Sequence, residues 1–472
     1  MANKLDQTKF IQITNNRYRQ RYHITTPGGW LNDPNGLCFF KGYYHVFYQY
    51  HPYSAEWGPM HWGHVRSKDL LHWEQLPTAL VPGDKEDSGG CFSGSAIVKD
   101  DRLYLFYTGH NYYQDNDTDH FYENQNMAYS DDGITFHKYS QNPIITTPTD
   151  NTQHFRDPKV WQYDSEYYMV IGSQSKSNHL GRILLYKSSD LINWKSCGPI
   201  ACSKGKETEG WMWECPDMFE LNGQNVLICS PMGIKAQKKT FLNLSQVCYS
   251  IGELNYQQAA FSGTAFKEVD QGHNFYATQT MLTPDGRRIL IGWMSPFEEK
   301  MDEQADGWAG SLTLPRELIL ENNCLKSRPI KELQQLRTAT ILDKEIVLTG
   351  NKQLSVTDPQ HTEYLFKVKN ETPQTFAWQI NDANGTIIKL AVRHNQVTLF
   401  RRGKNDQYRY ATLTTPLTDI HIFVDTSSVE FFINDGAVSF TERYYTTRKI
   451  TTSISSNNCT LHGNIYTLGE DD

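Results

Sequence analysis

The sequence predicts an all-β chain, a five-bladed β-propeller followed by a C-terminal β-sandwich. Three observations carry that reading: a composition rich in half-buried rings, an internal repeat of about 60 residues that stops near residue 320, and alternating strand patterns beyond it. Aromatic residues make up 13% of the 472, with 27 Tyr and 11 Trp, as strands and sugar-binding clefts favour. A chain of this length can hold two or three domains with sizeable cores.

The repeat consists of short β-branched or aromatic runs entered from polar turns: YYHVFYQ (43–49), RLYLFYT (102–108), EYYMVIG (166–172), QNVLICS (224–230) and RRILIGW (287–293). With Phe47, Phe106, Val170, Ile228 and Ile291 taken as equivalent, the separations are 59, 64, 58 and 63 residues. A second echo follows the first four runs: SKDLLHW (67–73), SDDGITF (130–136), SSDLINW (188–194) and SIGELNY (250–256). Two echoes in phase at one period describe a propeller blade used five times, over residues 1–320. NNCLKSRPIKELQQLR (322–337) carries a short helical pattern, so 321–340 reads as a linker. From 341 to 472 alternating runs such as AVRHNQVTLFRR (391–402), and a hairpin turn at Asn434, Asp435 and Gly436, read as the sandwich.

Composition excludes several functions. The net charge is −8 with no basic run, which removes nucleic acid as a partner. No 18 apolar residues run together, and MANKLDQTKFIQITNN has no apolar stretch of signal-peptide length, so a cytoplasmic protein without a membrane partner is expected. The nine cysteines are scattered without CxxC spacing and fit reduced, mostly buried thiols. His61 and His64 lack further ligands in a recognisable pattern and read as structural; no metal and no cofactor is expected. The oligomeric state stays open.

The repeat gives meaning to three carboxylates. Asp33 in WLNDPNG, Asp157 in FRDPK and Glu214 in WECPD lie 14, 13 and 14 residues before their anchors. Ser93 of FSGS and Tyr276 of NFYA lie 13 and 15 before theirs. Taken alone, WLNDPNG is equally a surface turn, since Asn, Asp, Pro and Gly are common turn formers. Equivalent positions in a rotational repeat are equidistant from the axis, so all five side chains are expected to meet in one central pocket.

Glycoside cleavage passes through an oxocarbenium-like transition state and needs a proton donor plus a second carboxylate. Asp157 follows Arg156 and is expected to stay an anion. Glu214, between Trp213 and Cys215, is expected to be the acid/base, because apolar neighbours raise a carboxyl's pKa. Asp33, short and held by its turn, suits a nucleophile. Asn32, Gln49, Ser93, Arg156, Asp270 and Tyr276 are the candidate polar contacts to a sugar, and Trp57, Phe92 and Trp293 the candidate rings.

WLNDPNG, FSGS, FRDPK and WECPD, in that order and at these gaps, resemble glycoside hydrolase family 32, the invertase and fructanase family. GWMS (292–295), WAGSLTLPREL (308–318) and DTSSVEFFINDG (425–436) extend the resemblance over nearly the whole chain. It implies Asp33 as nucleophile, Asp157 as transition-state stabiliser and Glu214 as acid/base, with Asn32, Gln49, Trp57, Ser93 and Arg156 lining a fructosyl pocket. Within the family the pattern is most similar to the bacterial enzymes that cleave sucrose 6-phosphate. One position departs: Asn274 stands before FYA where family members commonly carry Asp, removing a carboxylate contact expected beyond the fructosyl pocket. A phosphorylated leaving group would need cationic or NH donors, for which His273, Lys235, Lys238 and Lys239 are the candidates. The expected substrate is a small sugar, sucrose 6-phosphate or sucrose; an exo-acting fructan β-fructosidase, a fructosyltransferase and a non-catalytic propeller lectin are the alternatives.

Overall fold

The computed structural model describes residues 5–113, 115–295, 299–369, 375–403 and 407–469. The first four residues of the N-terminal segment and the last three of the expected sandwich lie outside these. The described chain is nearly all β, with one four-residue α-helix at Lys206–Glu209 and three 3₁₀ turns. It builds five successive sheets of four or five strands and then two six-stranded sheets.

The repeated runs form the second strand of each of the first five sheets: Tyr43–His51, Arg102–Tyr112, Glu166–Ser175, Gln224–Met232 and Arg288–Trp293. The anchors Phe47, Phe106, Val170, Ile228 and Ile291 are all fully buried. Each run pairs antiparallel with the strand before it. These first strands are β1 (Gly29–Phe40), β2 (Gly90–Lys99), β3 (Asn151–Tyr163), β4 (Met212–Leu221) and β5 (Tyr276–Leu282). β1 packs on β2, β2 on β3, β3 on β4, β4 on β5, and β5 back on β1, so the inner strands contact one another in a closed cycle. The Trp308–Ala309 strand adds in parallel to β1 and ties the fifth repeat to the first.

WLNDPNG is part of β1 and not a surface turn. Every inner strand carries a register shift at the equivalent place: between Leu31 and Pro34, Phe92 and Gly94, Arg156 and Lys159, Glu214 and Asp217, and Tyr276 and Gln279. Proline sits in three of these bulges, at Pro34, Pro158 and Pro216, where a missing N–H breaks no ladder bond. A bulge leaves a residue unpaired and re-aims its side chain. Asp157, Cys215 and Ala277 accordingly adopt positive φ of 66°, 46° and 51°. Gly94 admits no side chain, because a Cβ there would lie 1.9 Å from the Phe106 carbonyl oxygen.

The second echo is a turn closing the third strand. Ser67, Ser130 and Ser188 hydroxyls donate to Asp69, Asp132 and Asp190 at 2.8, 2.8 and 2.9 Å, and each aspartate caps the next backbone N–H groups. SIGELNY does not follow this pattern. Ser250 lies inside the strand Cys248–Asn255, and Asn255 makes the turn instead, accepting from the N–H of Gln257 at 3.1 Å.

Residues 321–340 are not a helical linker. Cys324–Pro329 is the outer strand of the fifth sheet, with Leu325 and Ser327 buried in strand alternation. Only Lys331–Leu336 turns, as a 3₁₀ segment burying Leu333 and Leu336, and Arg337–Leu348 already belongs to the next sheet. The period-two burial of CLKSRP outweighs the helix-forming residues around it, because an unpaired edge on Arg316–Glu321 would be left otherwise. The two six-stranded sheets share one apolar core, with Tyr364, Phe366 and Phe431 from one and Trp378, Ile388 and Leu399 from the other.

The seam between the two parts is ionic and buried. Arg316 Nη1 donates to Asp270 Oδ2 at 2.9 Å and Nε to Glu430 Oε2 at 3.1 Å, while the His23 ring lies 2.7 Å from Asp425 and 3.0 Å from Glu430. All five side chains are buried. Removing one partner strands buried charges, so Arg316→Leu is expected to cost about 3–5 kcal/mol. Urea unfolding followed by tryptophan fluorescence measures this, and a loss below about 1 kcal/mol would show that the seam adds nothing to stability.

Candidate active site

The five bulges bring their side chains together at one end of the inner-strand cycle. Asp33 Oδ2 accepts the Ser93 hydroxyl at 2.6 Å, and its Oδ1 accepts the Asn32 amide at 2.9 Å. Asn32 is oriented in turn by the Trp30 indole N–H, 2.8 Å from its Oδ1. Burial raises the Asp33 pKa, and the donors Ser93 and Asn32 pull against it.

Glu214 Oε1 accepts from Arg156 Nη2 at 2.7 Å and Nε at 3.1 Å, and its Oε2 accepts the Tyr276 hydroxyl. Its carboxylate therefore faces a guanidinium and a phenol, not Trp213 or Cys215 as its sequence neighbours suggested. The cause is the bulge after Glu214, which turns Cys215 toward Asp157 while Trp213 packs into the core.

Asp157 is held by the Cys215 backbone N–H, which donates to Oδ2 at 2.9 Å, and its own N–H donates to Thr108 Oγ1 at 3.0 Å. The Cys215 thiol lies 3.6 Å from Asp157 Oδ2 and 3.7 Å from Asp33 Oδ2, and burial keeps it protonated. Adjacency to Arg156 does not bring the Asp157 pKa down. Burial pushes its pKa up to about 8, outweighing the Arg156 charge, and the carboxylates of Glu214 and Asp33 add to the rise. The Arg156 guanidinium makes its hydrogen bonds to other carboxylates. It bridges Glu214 to Glu123, whose Oε2 lies 3.2 Å from Nη1. Burial works against ionised Glu123, yet Arg156 and His110 hold it down at about 2.

Around this cluster stand rings. Phe92 stacks on His110 with centroids 4.2 Å apart, and Trp57, 42% exposed, meets the Phe92 edge at 6.0 Å. Gln49 is buried, its amide donating to the Cys91 carbonyl at 3.0 Å. Asn32, Asp33, Ser93, Arg156, Asp157, Glu214 and Tyr276 thus form one constellation, linked through Glu123 and His110 to the Phe92 and Trp57 rings, with Gln49 tied to the strand that carries Ser93.

Two sequence candidates stand elsewhere. Asp270 lies upstream of β5 and is drawn into the ionic seam by Arg316, also accepting from Thr441. Trp293 is fully buried, pairs in register with Tyr276 and packs 5.9 Å from Trp30, a wall behind the site and not an open ring face. Asn274 likewise faces the seam: its Oδ1 accepts Arg401 Nη1 at 2.7 Å and the Arg443 N–H at 2.9 Å, so it contacts no space beyond the pocket. His273 is buried against Glu442 at 2.8 Å. Of the lysines, Lys235 pairs with Glu207 and Lys239 lies over the Tyr410 ring at 4.6 Å. Cys215, Glu123, His110 and Thr108 join the site without having been expected there. Cys215 lies inside the WECPD motif, whereas the other three carry no local signal.

The family model described as the N-terminal domain of glycosyl hydrolases family 32 matches residues 23–329, and the C-terminal one matches 332–465. The chain is 38% identical over 448 residues to a sucrose-6-phosphate hydrolase of Escherichia coli, covering 93% of this chain and 91% of that one. It is 39% identical over 429 residues to a raffinose invertase of Escherichia coli, covering 90% and 89%. Among solved structures, a β-fructofuranosidase of Bombyx mori superposes with a TM-score of 0.87 at 37% identity, covering 98% of this chain and 96% of that one. A variant of it was solved in complex with sucrose, at 36% identity with the same score and coverage.

Proposed function

Because the chain belongs to glycoside hydrolase family 32, we propose that it hydrolyses the β-fructofuranosyl bond of sucrose 6-phosphate or sucrose, retaining configuration through a covalent intermediate on Asp33. The observation that carries this is the unlike dressing of two carboxylates in one cluster. Asp33 takes two neutral donors, and Glu214 takes a guanidinium and a phenol. Asp33 attacks the anomeric C2 of the fructosyl unit while Glu214 gives its proton to the bridging oxygen, releasing the glucosyl part. Glu214, now ionised and stabilised by Arg156 and Tyr276, takes a proton from water, which attacks C2 and frees Asp33. Asp157, fixed by the Cys215 N–H, accepts from the ring hydroxyls as charge develops. Phe92 and Trp57 bound the sugar laterally.

The same reading takes the five sheets as blades of a five-bladed propeller, supported by the closed cycle β1 to β5, and the two six-stranded sheets as a β-sandwich. The boundary falls at the Lys331–Leu336 turn. A reducing, cytoplasmic setting accords with nine cysteines held as free thiols. No helix among the described residues is long and apolar enough to cross a membrane.

The test is a product assay on sucrose, sucrose 6-phosphate and a fructan side by side. We expect kcat/KM for sucrose 6-phosphate to exceed that for sucrose by at least about tenfold, roughly 1.4 kcal/mol of differential transition-state binding. Equal efficiencies, or a preference for the fructan, would sink the phosphate assignment.

The proposal also fixes a sign in the pH profile. Asp33 must be ionised to attack, so activity falls as pH drops through its pKa. The Ser93 hydroxyl favours the ionised form, so Ser93→Ala should move the acid limb of kcat/KM to higher pH and lower the neutral value about tenfold. An unmoved limb would separate Ser93 from the ionisation of Asp33.

A further inference from the structure

The inner strands have a second end. Four residues beyond Asp33, Ser93, Asp157, Glu214 and Tyr276 stand Leu37, Ile97, Trp161, Met218 and Thr280, and all five line one cavity of about 670 Å³. Four residues of strand span about 13 Å, so this cavity opens at the opposite mouth of the cycle. Between the two ends lies a plug in which Lys159 Nζ pairs with Asp217 Oδ2 at 3.0 Å and donates to the Thr280 carbonyl at 2.5 Å.

Lys159, Glu220 and Arg288 are the charged side chains lining that cavity. Asp217 answers Lys159, and Glu220 is exposed at the rim. Arg288 also lines the cavity, its guanidinium 4.8 Å over the Phe219 ring, and its Nε is buried without a hydrogen-bond partner. Among the described residues no carboxylate pairs with it; Asp217 acts on it only from a distance. A half-buried arginine in a concave site without a paired carboxylate can take up an anion, and its planar fork matches phosphate or carboxylate oxygens. Beside Glu220 the rim offers open apolar surface: Leu282, Tyr163 and Val98 are 58, 43 and 39% exposed, and Tyr163 is braced by Tyr256 at 4.1 Å.

We infer that this far mouth is a binding site for a small organic oxyanion, a phosphate monoester or carboxylate, whose anionic head sits on Arg288 and whose body rests on Leu282 and Tyr163. It is separate from the sugar-cleaving end and independent of what is cleaved there. Leu282 stands directly opposite Arg288 in the ladder between β5 and the Arg288–Trp293 strand. Directly opposed side chains share a sheet face about 5 Å apart, so Leu282→Glu supplies an internal counter-ion without disturbing a buried position.

The experiment is isothermal titration of the full chain with inorganic phosphate and with phenyl phosphate at low ionic strength, with melting temperature as the control for folding. Wild type should bind both, phenyl phosphate at least about threefold tighter because of the rim. Arg288→Leu and Leu282→Glu should each weaken both by at least tenfold, while Asp33→Asn binds as wild type. Should Arg288→Leu fail to fold, the exposed Leu282→Glu variant decides alone. Absence of binding to wild type would overturn the inference. So would undiminished binding in Leu282→Glu, or loss of binding in Asp33→Asn, which would move the anion to the other mouth.

Discussion

Asp33→Asn should lower kcat/KM on sucrose by at least about 10⁴-fold, since it removes the atom proposed to bond C2 and leaves only binding and charge stabilisation. The replacement is isosteric, and Ser93 and Asn32 remain in place, so the loss is chemical and not structural. Folding stability should hold or rise slightly, because burial, and to a lesser degree the Glu214 charge, already disfavour an ionised Asp33. Loss of activity with a matching collapse in melting temperature would remove the nucleophile assignment. The wild-type companion measurement is stereochemical. A nucleophilic Asp implies retention, and NMR of the first-formed fructose should show the β anomer; an initial α product would demand inversion and a water between the carboxyls.

Glu214→Gln should depend on the leaving group. On sucrose, whose glucosyl oxygen needs a proton, a loss of about 10²–10⁴-fold is expected. On β-fructofuranosyl fluoride, which leaves without protonation, the first step should be spared and the remaining defect should lie in the activation of water. A covalent fructosyl-enzyme would then accumulate, visible as a burst or as added mass on the intact chain. Equal losses on both substrates would reject Glu214 as the acid. Arg156 and Tyr276 bear on the same step, since both donate to the Glu214 carboxyl and fix its position.

The three carboxylates are legible in the sequence because the period of the repeat sets them in phase, and because Pro34, Pro158 and Pro216 mark bulges in inner strands. What surrounds them is not. Glu123 comes from the third strand of the second sheet and reaches Arg156 across 33 positions of sequence. No local pattern flags it. Cys215 is visible as a letter, but its service to Asp157 depends on a positive φ that swings its N–H across to β3. Sequence neighbours mislead on ionisation for the same reason: Arg156 beside Asp157 in the chain is beside Glu214 in space. For Asp270 and Trp293, nearness in sequence to an inner strand is not nearness to the pocket. Arg316, in the fifth sheet, captures the first, and a fully buried wall absorbs the second.

The sequence by itself therefore determined the all-β class, the five phased repeats, the change of texture after about residue 320 and the inner-strand positions of Asp33, Asp157 and Glu214. Burial periodicity and proline chemistry act over a few residues, and a rotational repeat copies them faithfully. The tertiary structure alone decided which charge meets which: Arg156 with Glu214 and Glu123, Arg316 with Asp270 and Glu430, Arg288 with no carboxylate among the described residues. Those pairings depend on distances of a few ångströms between strands far apart in the chain. They are electrostatic, and within a desolvated site the nearest opposite charge outweighs any neighbour along the backbone.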